Sequence, residues 1–154
     1  MMSQVFVSGH KSPDTDSIAA ALSYSYLKRR LGMDAVAVRA GEINKESRFA
    51  LYYFDLEEPM LVTSVARKNP EDEKQKVILV DHNESKQTID GMDDAEVLEI
   101  IDHHRFGDFE SENPIFILVR PVGCVNTVIY GLYKANHIKP SREIAGSMLS
   151  AIIS

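Results

Sequence analysis

The sequence predicts an α/β protein built on a doubly wound, mainly parallel sheet with helices on both faces. Three short apolar runs, at 5–9, 77–80 and 97–101, are rich in β-branched residues, as buried parallel strands are. Segments with helical patterning alternate with such runs, which is typical of strands joined by crossover helices. The 154 residues contain no repeat and no low-complexity linker, so we expect one domain.

The first half of the chain predicts two strand–helix pairs. Pro13 favours a turn after the first apolar run. Gly32 and Pro59 limit the helices, because glycine allows the left-handed turn that ends many helices and the residue before a proline disfavours helix. The first helix is expected to pack through Ile18, Leu22, Tyr26 and Leu27. The predicted elements are strands at 5–9 and 35–38 and helices at 17–31 and 46–54.

The second half predicts three more strands and two helices. A charged segment at 68–76 is expected at the surface, where it leads into a buried strand. An acidic segment at 90–96 is expected to form a turn or short helix before the next strand. The predicted elements are strands at 77–80, 97–101 and 115–119 and helices at 123–136 and 141–153.

The composition indicates a cytoplasmic, globular protein. Hydrophobic residues make up 44% of the chain and charged residues 26%. The net charge of −6 disfavours nonspecific binding to nucleic acid, and no apolar run is long enough to span a bilayer. A single cysteine, Cys124, fits a reducing compartment. We therefore expect neither a nucleic-acid partner nor a membrane partner.

Each of the three apolar runs leads directly into histidine and aspartate. The carboxyl ends of parallel strands line the crevice where open α/β sheets bind ligands. Side chains that follow separate strands are therefore expected to converge at one rim, where they would form a metal-dependent hydrolytic site. The residues predicted at this rim are His10, Asp14, Asp16, Asp81 and His103, with Asp102 and His104 beside them.

Three carboxylates in one crevice need a counter-charge. Two like charges about 4 Å apart repel by roughly 4 kcal/mol at an effective dielectric near 20, and divalent ions turn this repulsion into binding energy. Carboxylate and imidazole ligands without thiolates favour manganese, magnesium or cobalt over a structural zinc. The number of ligands exceeds the needs of one open site and predicts two metal ions, about 3.5–4 Å apart, bridged by a carboxylate.

Each residue also has a simpler interpretation. His10 could hydrogen-bond a neighbouring loop, and Asp14 and Asp16 could cap the first helix, although one aspartate can both cap and bind metal. Asp102 could either orient His103 or bind metal itself. The remaining candidates are interpreted as structural, surface or packing residues: His82, His137 and Cys124.

Four motifs in order resemble the DHH phosphoesterase superfamily, and most closely the manganese-dependent family II inorganic pyrophosphatases. The Asp-Thr-Asp form of the first motif fits this branch better than the Asp-Gly-Asp of relatives that cleave oligonucleotides or cyclic dinucleotides. The resemblance covers essentially the whole chain. The four motifs are GHKSPDTDS at 9–17, VDHNE at 80–84, IDHHR at 101–105 and PVGC at 121–124 with Thr127, and the resemblance continues through the final segment at 144–154.

The resemblance implies the role of each residue. His10, Asp14 and Asp81 would hold one Mn²⁺, and Asp16, Asp81 and His103 the other, with Asp81 as the bridge. Co²⁺ or Mg²⁺ would also suit these ligands. His104 would act on the substrate as a proton donor or phosphate contact. The implied reaction is hydrolysis of pyrophosphate to two phosphates by a water that two metals activate, and the implied assembly is a homodimer formed through paired sheet edges.

The sequence departs from this family at its end. Family members place a further metal-binding aspartate directly after the segment that matches 151–154, and they have a C-terminal substrate-binding domain. We expect residues 1–154 to be the N-terminal DHH catalytic domain, with metal affinity but little or no turnover. The alternatives are a DHH-family phosphodiesterase or exopolyphosphatase, and a noncatalytic metal-binding dimerisation module.

Overall fold

Six strands and four α-helices make up the structure, a computed structural model that describes residues 3–154. The strands are β1 (Val5–Ser8), β2 (Ala35–Arg39), β3 (Met60–Leu61), β4 (Lys76–Val80), β5 (Glu96–Asp102) and β6 (Phe116–Val119). The α-helices are α1 (Thr15–Arg30), α2 (Lys45–Tyr53), α3 (Val125–Ala135) and α4 (Arg142–Ile153). None of the helices in residues 3–154 is both long enough and apolar enough to cross a membrane.

All six strands are parallel and form one sheet in the order β3-β2-β1-β4-β5-β6. The chain therefore moves outward from β1 in one direction and then returns to β4 to build the other half. Right-handed crossovers place the connections of the two halves on opposite faces of the sheet. The reversal between β1 and β4 opens a crevice at their carboxyl ends. His10 follows β1, Asp81 follows β4, and His103 follows the neighbouring strand β5.

The α-helices form the layer on the first face. There, alternate residues of the central strands, such as Val7 on β1 and Ile78 on β4, pack against α1, α3 and α4. Helix α2 joins this layer by packing Leu51 against Ile18 of α1. The predicted α/β architecture with a parallel sheet is confirmed.

The second face is covered by loops and two 3₁₀ helices rather than by α-helices. Leu79 and Ile100 point to this side and pack with residues of the connecting segments, including Ile89. The β4–β5 connection holds the two 3₁₀ turns, Ser85–Gln87 and Met92–Asp94. Gly91, at φ 82°, and the neighbouring aspartates favour turns over a longer helix.

Helix α1 fixes the positions of Asp14 and Asp16 because it is buried on several sides. Its run of small residues, Ala19 to Ala21, is almost fully buried and lets the neighbouring elements approach closely. Asp14 is its N-cap, and its Oδ1 accepts a hydrogen bond from the Ser17 N–H at 2.8 Å. The amino end of α1 thus lies at the carboxyl edge of the sheet.

Candidate metal centre

His10 follows β1 and is held from two sides. A Cβ on Gly9 would lie 1.8 Å from the Ser17 hydroxyl, so only glycine lets β1 approach α1 this closely. The His10 backbone N–H donates to that hydroxyl at 3.0 Å. In the ring, Nδ1–H donates to the Lys11 carbonyl at 2.6 Å. Nε2 is therefore the nitrogen that faces the crevice.

Asp81 lies between two histidines. It follows β4 at φ 63°, a conformation that aspartate tolerates better than most residues, and it is 1% exposed. Its Oδ2 lies 3.2 Å from His10 Nε2, and its Oδ1 lies 2.9 Å from His103 Nε2. The two oxygens of one buried carboxylate thus face imidazoles delivered by different strands.

His103 is oriented in the same way as His10. Its Nδ1–H donates to the Val122 carbonyl at 2.7 Å, which leaves Nε2 facing the carboxylates. Besides its contact with Asp81, this Nε2 lies 3.5 Å from Asp16 Oδ2. Backbone carbonyls thus hold Nδ1–H in both rings and leave Nε2 toward the crevice, as is usual for histidines that bind metal.

The five predicted residues converge at one rim, and they fall into two overlapping groups. We name the first group, His10, Asp14 and Asp81, site A; one donor atom from each lies within 4.8 Å of the others. We name the second, Asp16, Asp81 and His103, site B; here His103 Nε2 contacts both carboxylates. Asp81 belongs to both.

The electrostatics of the centre call for a positive charge between the carboxylates. Burial opposes protonation of His10, but hydrogen bonds to Asp14 and Asp81 outweigh it and raise the pKa of His10 to about 10. The hydrogen bond to Asp81 raises the pKa of His103 to about 9. Burial works against ionisation of Asp81, yet both histidines together lower its pKa to about 2.

The same atoms suit divalent cations. Protons on the two Nε2 atoms supply positive charge in this arrangement, and a cation placed between imidazole and carboxylate would replace them. The donors are carboxylate oxygens and imidazole nitrogens, a set that suits manganese, cobalt or magnesium. We conclude that the residues fit divalent cations.

Asp102 and His104 form a pair beside site B. Asp102 is fully buried, and its carboxylate accepts hydrogen bonds from Asn83 Nδ2 at 2.7 Å and from the His103 backbone N–H at 2.7 Å. It also accepts the His104 Nδ1–H at 2.8 Å. These contacts occupy the carboxylate and favour an orienting role. The His104 side chain is half exposed, with its ring fixed from one side.

The two remaining histidines, His82 and His137, belong to neither site A nor site B. His82 is buried, its Nδ1–H donates to the Val80 carbonyl, and burial lowers its pKa to about 4, so it is a neutral structural residue. His137 is exposed at φ 55° after α3.

Sequence reasoning missed several buried polar residues that hold the centre. The sequence favours a packing role for Cys124; the residue is buried, but its Sγ–H also donates to Asp16 at 2.8 Å. Asn83 and Asn126 are buried and donate to Asp102 and Asp16, respectively; Asn83 belongs to the VDHNE motif, but the sequence predicts no role in the site for either residue. A polar residue in the first turn of an apolar helix was the available signal for Asn126.

Comparisons with known proteins identify the family of the chain. The family described as "DHH family, N-terminal domain" matches residues 4–152. A Bacillus licheniformis protein named "Probable manganese-dependent inorganic pyrophosphatase" is 51% identical over 153 residues, which are 99% of this chain and 48% of the relative. A protein of the same name from an Exiguobacterium species is 49% identical over the same shares. The chain spans about half the length of the curated relatives it matches.

Solved structures show the same fold. A Methanococcus jannaschii protein, described as a candidate family II inorganic pyrophosphatase, has a TM-score of 0.84 and 38% identity, and the match covers 97% of this chain and 48% of that one. A Bacteroides fragilis exopolyphosphatase-related protein, at TM-score 0.68 and 19% identity, covers 98% and 45% and shows the fold alone. The chain belongs to the DHH family, and it matches the N-terminal domain of that family.

Proposed function

We propose that this chain is the metal-binding half of a manganese-dependent inorganic pyrophosphatase, which hydrolyses pyrophosphate to two phosphates. The relatives named for this activity are about twice as long as the chain. The proposal therefore includes a second half of the protein, which would bind the substrate. The observation that supports it best is the placement of Asp81, whose two oxygens face His10 and His103.

In this proposal His10, Asp14 and Asp81 hold one Mn²⁺ in site A, and Asp16, Asp81 and His103 hold the second in site B. Co²⁺ or Mg²⁺ would be accepted by the same ligands. When bound, such ions would supply Lewis acidity and lower the pKa of a bound water. The chain would contribute both imidazoles through Nε2, because a bound ion would replace the Nε2 proton while backbone carbonyls keep both Nδ1–H groups in place.

His104 is the proposed catalytic residue. Asp102 accepts the proton on Nδ1, which fixes the ring and directs the opposite nitrogen, Nε2, away from the buried carboxylate. From the rim of site B, Nε2 would contact a phosphate oxygen. The imidazolium form, which carries a proton on both nitrogens, would donate its Nε2 proton to the leaving phosphate and keep the Nδ1–H on Asp102. Such proton transfer contributes about 10²–10⁴-fold to rate.

We also propose a cytoplasmic homodimer formed through β6. This strand is an edge of the sheet in the described residues, and its apolar side chains are exposed: Phe116 at 49%, Ile117 at 43% and Val119 at 36%. An exposed apolar edge is a template for pairing with another strand. A second copy would cover these side chains and extend the sheet.

The test is an assay with manganese on pyrophosphate, polyphosphate and short oligonucleotides. It is applied to this chain alone and to the chain joined to the second half of the Bacillus licheniformis relative. We expect the joined protein to hydrolyse pyrophosphate fastest and the chain alone to show little turnover. A preference for polyphosphate or oligonucleotides would replace the proposal by a DHH exopolyphosphatase or phosphodiesterase. Metal binding without any turnover would favour a noncatalytic module.

A further inference from the structure

Helix α3 is capped by a residue from another helix. Its N-cap position is Cys124, whose side chain makes no capping hydrogen bond to the helix. The N–H groups of the first turn bind the Asp16 carboxylate instead: Val125 N–H donates to Oδ2 at 2.9 Å, and Asn126 N–H donates to Oδ1 at 3.3 Å. Asp16 therefore joins the amino end of α3 to the amino end of α1.

Asn126 makes the shortest hydrogen bond in this junction. It is fully buried, and its Nδ2 donates to Asp16 Oδ1 at 2.6 Å and to the Asp16 main-chain oxygen at 3.1 Å. Its own Oδ1 accepts the hydroxyl hydrogen of Ser23 at 3.0 Å. Both amide hydrogens and the carbonyl are thus engaged, and the side chain has one orientation.

These contacts give the two oxygens of the Asp16 carboxylate different hydrogen-bond partners. Oδ1 accepts from Cys124 Sγ and from both nitrogens of Asn126. Oδ2 accepts only the Val125 N–H and lies 3.5 Å from His103 Nε2. Since a carboxylate oxygen offers about two lone pairs, Oδ1 is saturated and Oδ2 keeps one for a further partner.

We propose that Asn126 is a positioning residue, which acts through Asp16 to hold Oδ2 toward site B. This inference rests on the proposed function, in which site B binds a metal ion. Partners of metal ligands typically change metal affinity about 10–100-fold when they are removed. Ser23 supports the same arrangement one step further away, since it orients the Asn126 amide.

A purely structural role for Asn126 gives a different expectation. Loss of a helix-capping contact would lower stability and disturb both metal sites alike. A positioning role is selective, because site A uses His10 and Asp14, neither of which contacts Asn126. The ratio of the two Mn²⁺ affinities therefore separates the two roles.

The experiment is calorimetric titration of Mn²⁺ into the metal-free chain and its variants. Asn126→Ala should bind Mn²⁺ about 10–100-fold more weakly at site B and unchanged at site A. Each variant is also tested with His10→Ala, which removes a site A ligand and leaves Asp16, Asp81 and His103 of site B in place. Circular dichroism and urea unfolding report whether each variant folds.

Two serines of α1 provide a matched pair that does not depend on Asn126→Ala folding. Ser23 and Ser25 are both buried and both lie near the carbonyl three residues back, but only Ser23 donates to Asn126. Ser23→Ala should weaken site B several-fold, and Ser25→Ala should leave it unchanged.

The outcomes separate this inference from the function on which it rests. If the unmodified chain fails to bind Mn²⁺ at site B, the proposed function is wrong and the positioning role is wrong with it. If the unmodified chain fills both sites, the positioning role alone is overturned by either of two results: equal affinity in Asn126→Ala or Ser23→Ala, or equal weakening of both sites.

Discussion

Replacing Asp81 with asparagine should destabilise the metal-free chain at about pH 6. Asparagine has the same shape as aspartate and tolerates the left-handed backbone at this position, where φ is 63°, so the variant removes a charge without adding strain. The charge it removes faces His10 and His103, both of which are protonated at this pH because their pKa values are raised.

The size of the effect follows from the two distances. At 3.2 Å and 2.9 Å, unit charges attract by about 5 and 6 kcal/mol at an effective dielectric near 20. Most of this is offset by the cost of burying Asp81, which is 1% exposed. Removing one partner of a buried pair typically costs about 3–5 kcal/mol, and we expect a loss of unfolding free energy in this range.

The effect should depend on pH with a defined sign. A histidine whose pKa is raised on folding stabilises the fold fully below its ordinary value of 6.5, and this contribution is lost as pH rises through the folded value. The folded values here are about 9 and 10. Above these pKa values, Asp81 is a buried carboxylate beside neutral imidazole rings. The loss of unfolding free energy in Asp81→Asn should therefore disappear.

Urea unfolding with a chelator, at about pH 6 and about pH 10.5, measures both differences. Asp90→Asn is the control, because Asp90 is an exposed carboxylate paired with Lys11 and should contribute no more than about 1 kcal/mol. An Asp81→Asn effect of the same size at both pH values would refute the reasoning, since it could not come from pairing with protonated histidines.

Three further predictions concern the proposed catalytic histidine, a further metal ligand and the β6 edge of the sheet. His104→Gln, in the joined protein, should lower pyrophosphate hydrolysis about 10²–10⁴-fold with manganese content intact; loss of manganese would mean that His104 is a ligand. The hydroxyls of Ser154 and Thr15 both donate to Glu46, so the end of α4 lies near the start of α1. An aspartate added after Ser154 should tighten binding of the second Mn²⁺, measured by calorimetry, relative to an added asparagine. Equal affinities would reject a metal-binding role for the added aspartate. Ile117→Lys on β6 should convert dimer to monomer in sedimentation, and a monomeric unmodified chain would contradict the proposed assembly.

The main elements could be predicted because the central strands are buried on both faces. Continuous apolar runs mark such strands, so the expected strand at 97–101 is observed at Glu96–Asp102. The helix expected at 17–31 begins earlier, at Thr15, because Asp14 rather than a later residue is its cap. The strand β3 was missed, since Met60 and Leu61 are exposed and too few to show a pattern.

The convergence of the site could be predicted because parallel strands end at a common edge. His10, Asp81 and His103 each follow a different strand, and their contacts with one another agree with that expectation. The residues that orient them could not be found in this way. Asn126 meets Asp16 from 110 positions away, through the packing of α3 on α1, and no local pattern encodes that contact.

Crystals of the chain soaked in Mn²⁺ would test the central claim most directly, because anomalous scattering locates manganese independently of activity. We expect two peaks about 3.5–4 Å apart, one bound by His10 and the other by His103, with an oxygen of Asp81 contacting both. A single peak, or two ions that do not share Asp81, would contradict the proposed centre.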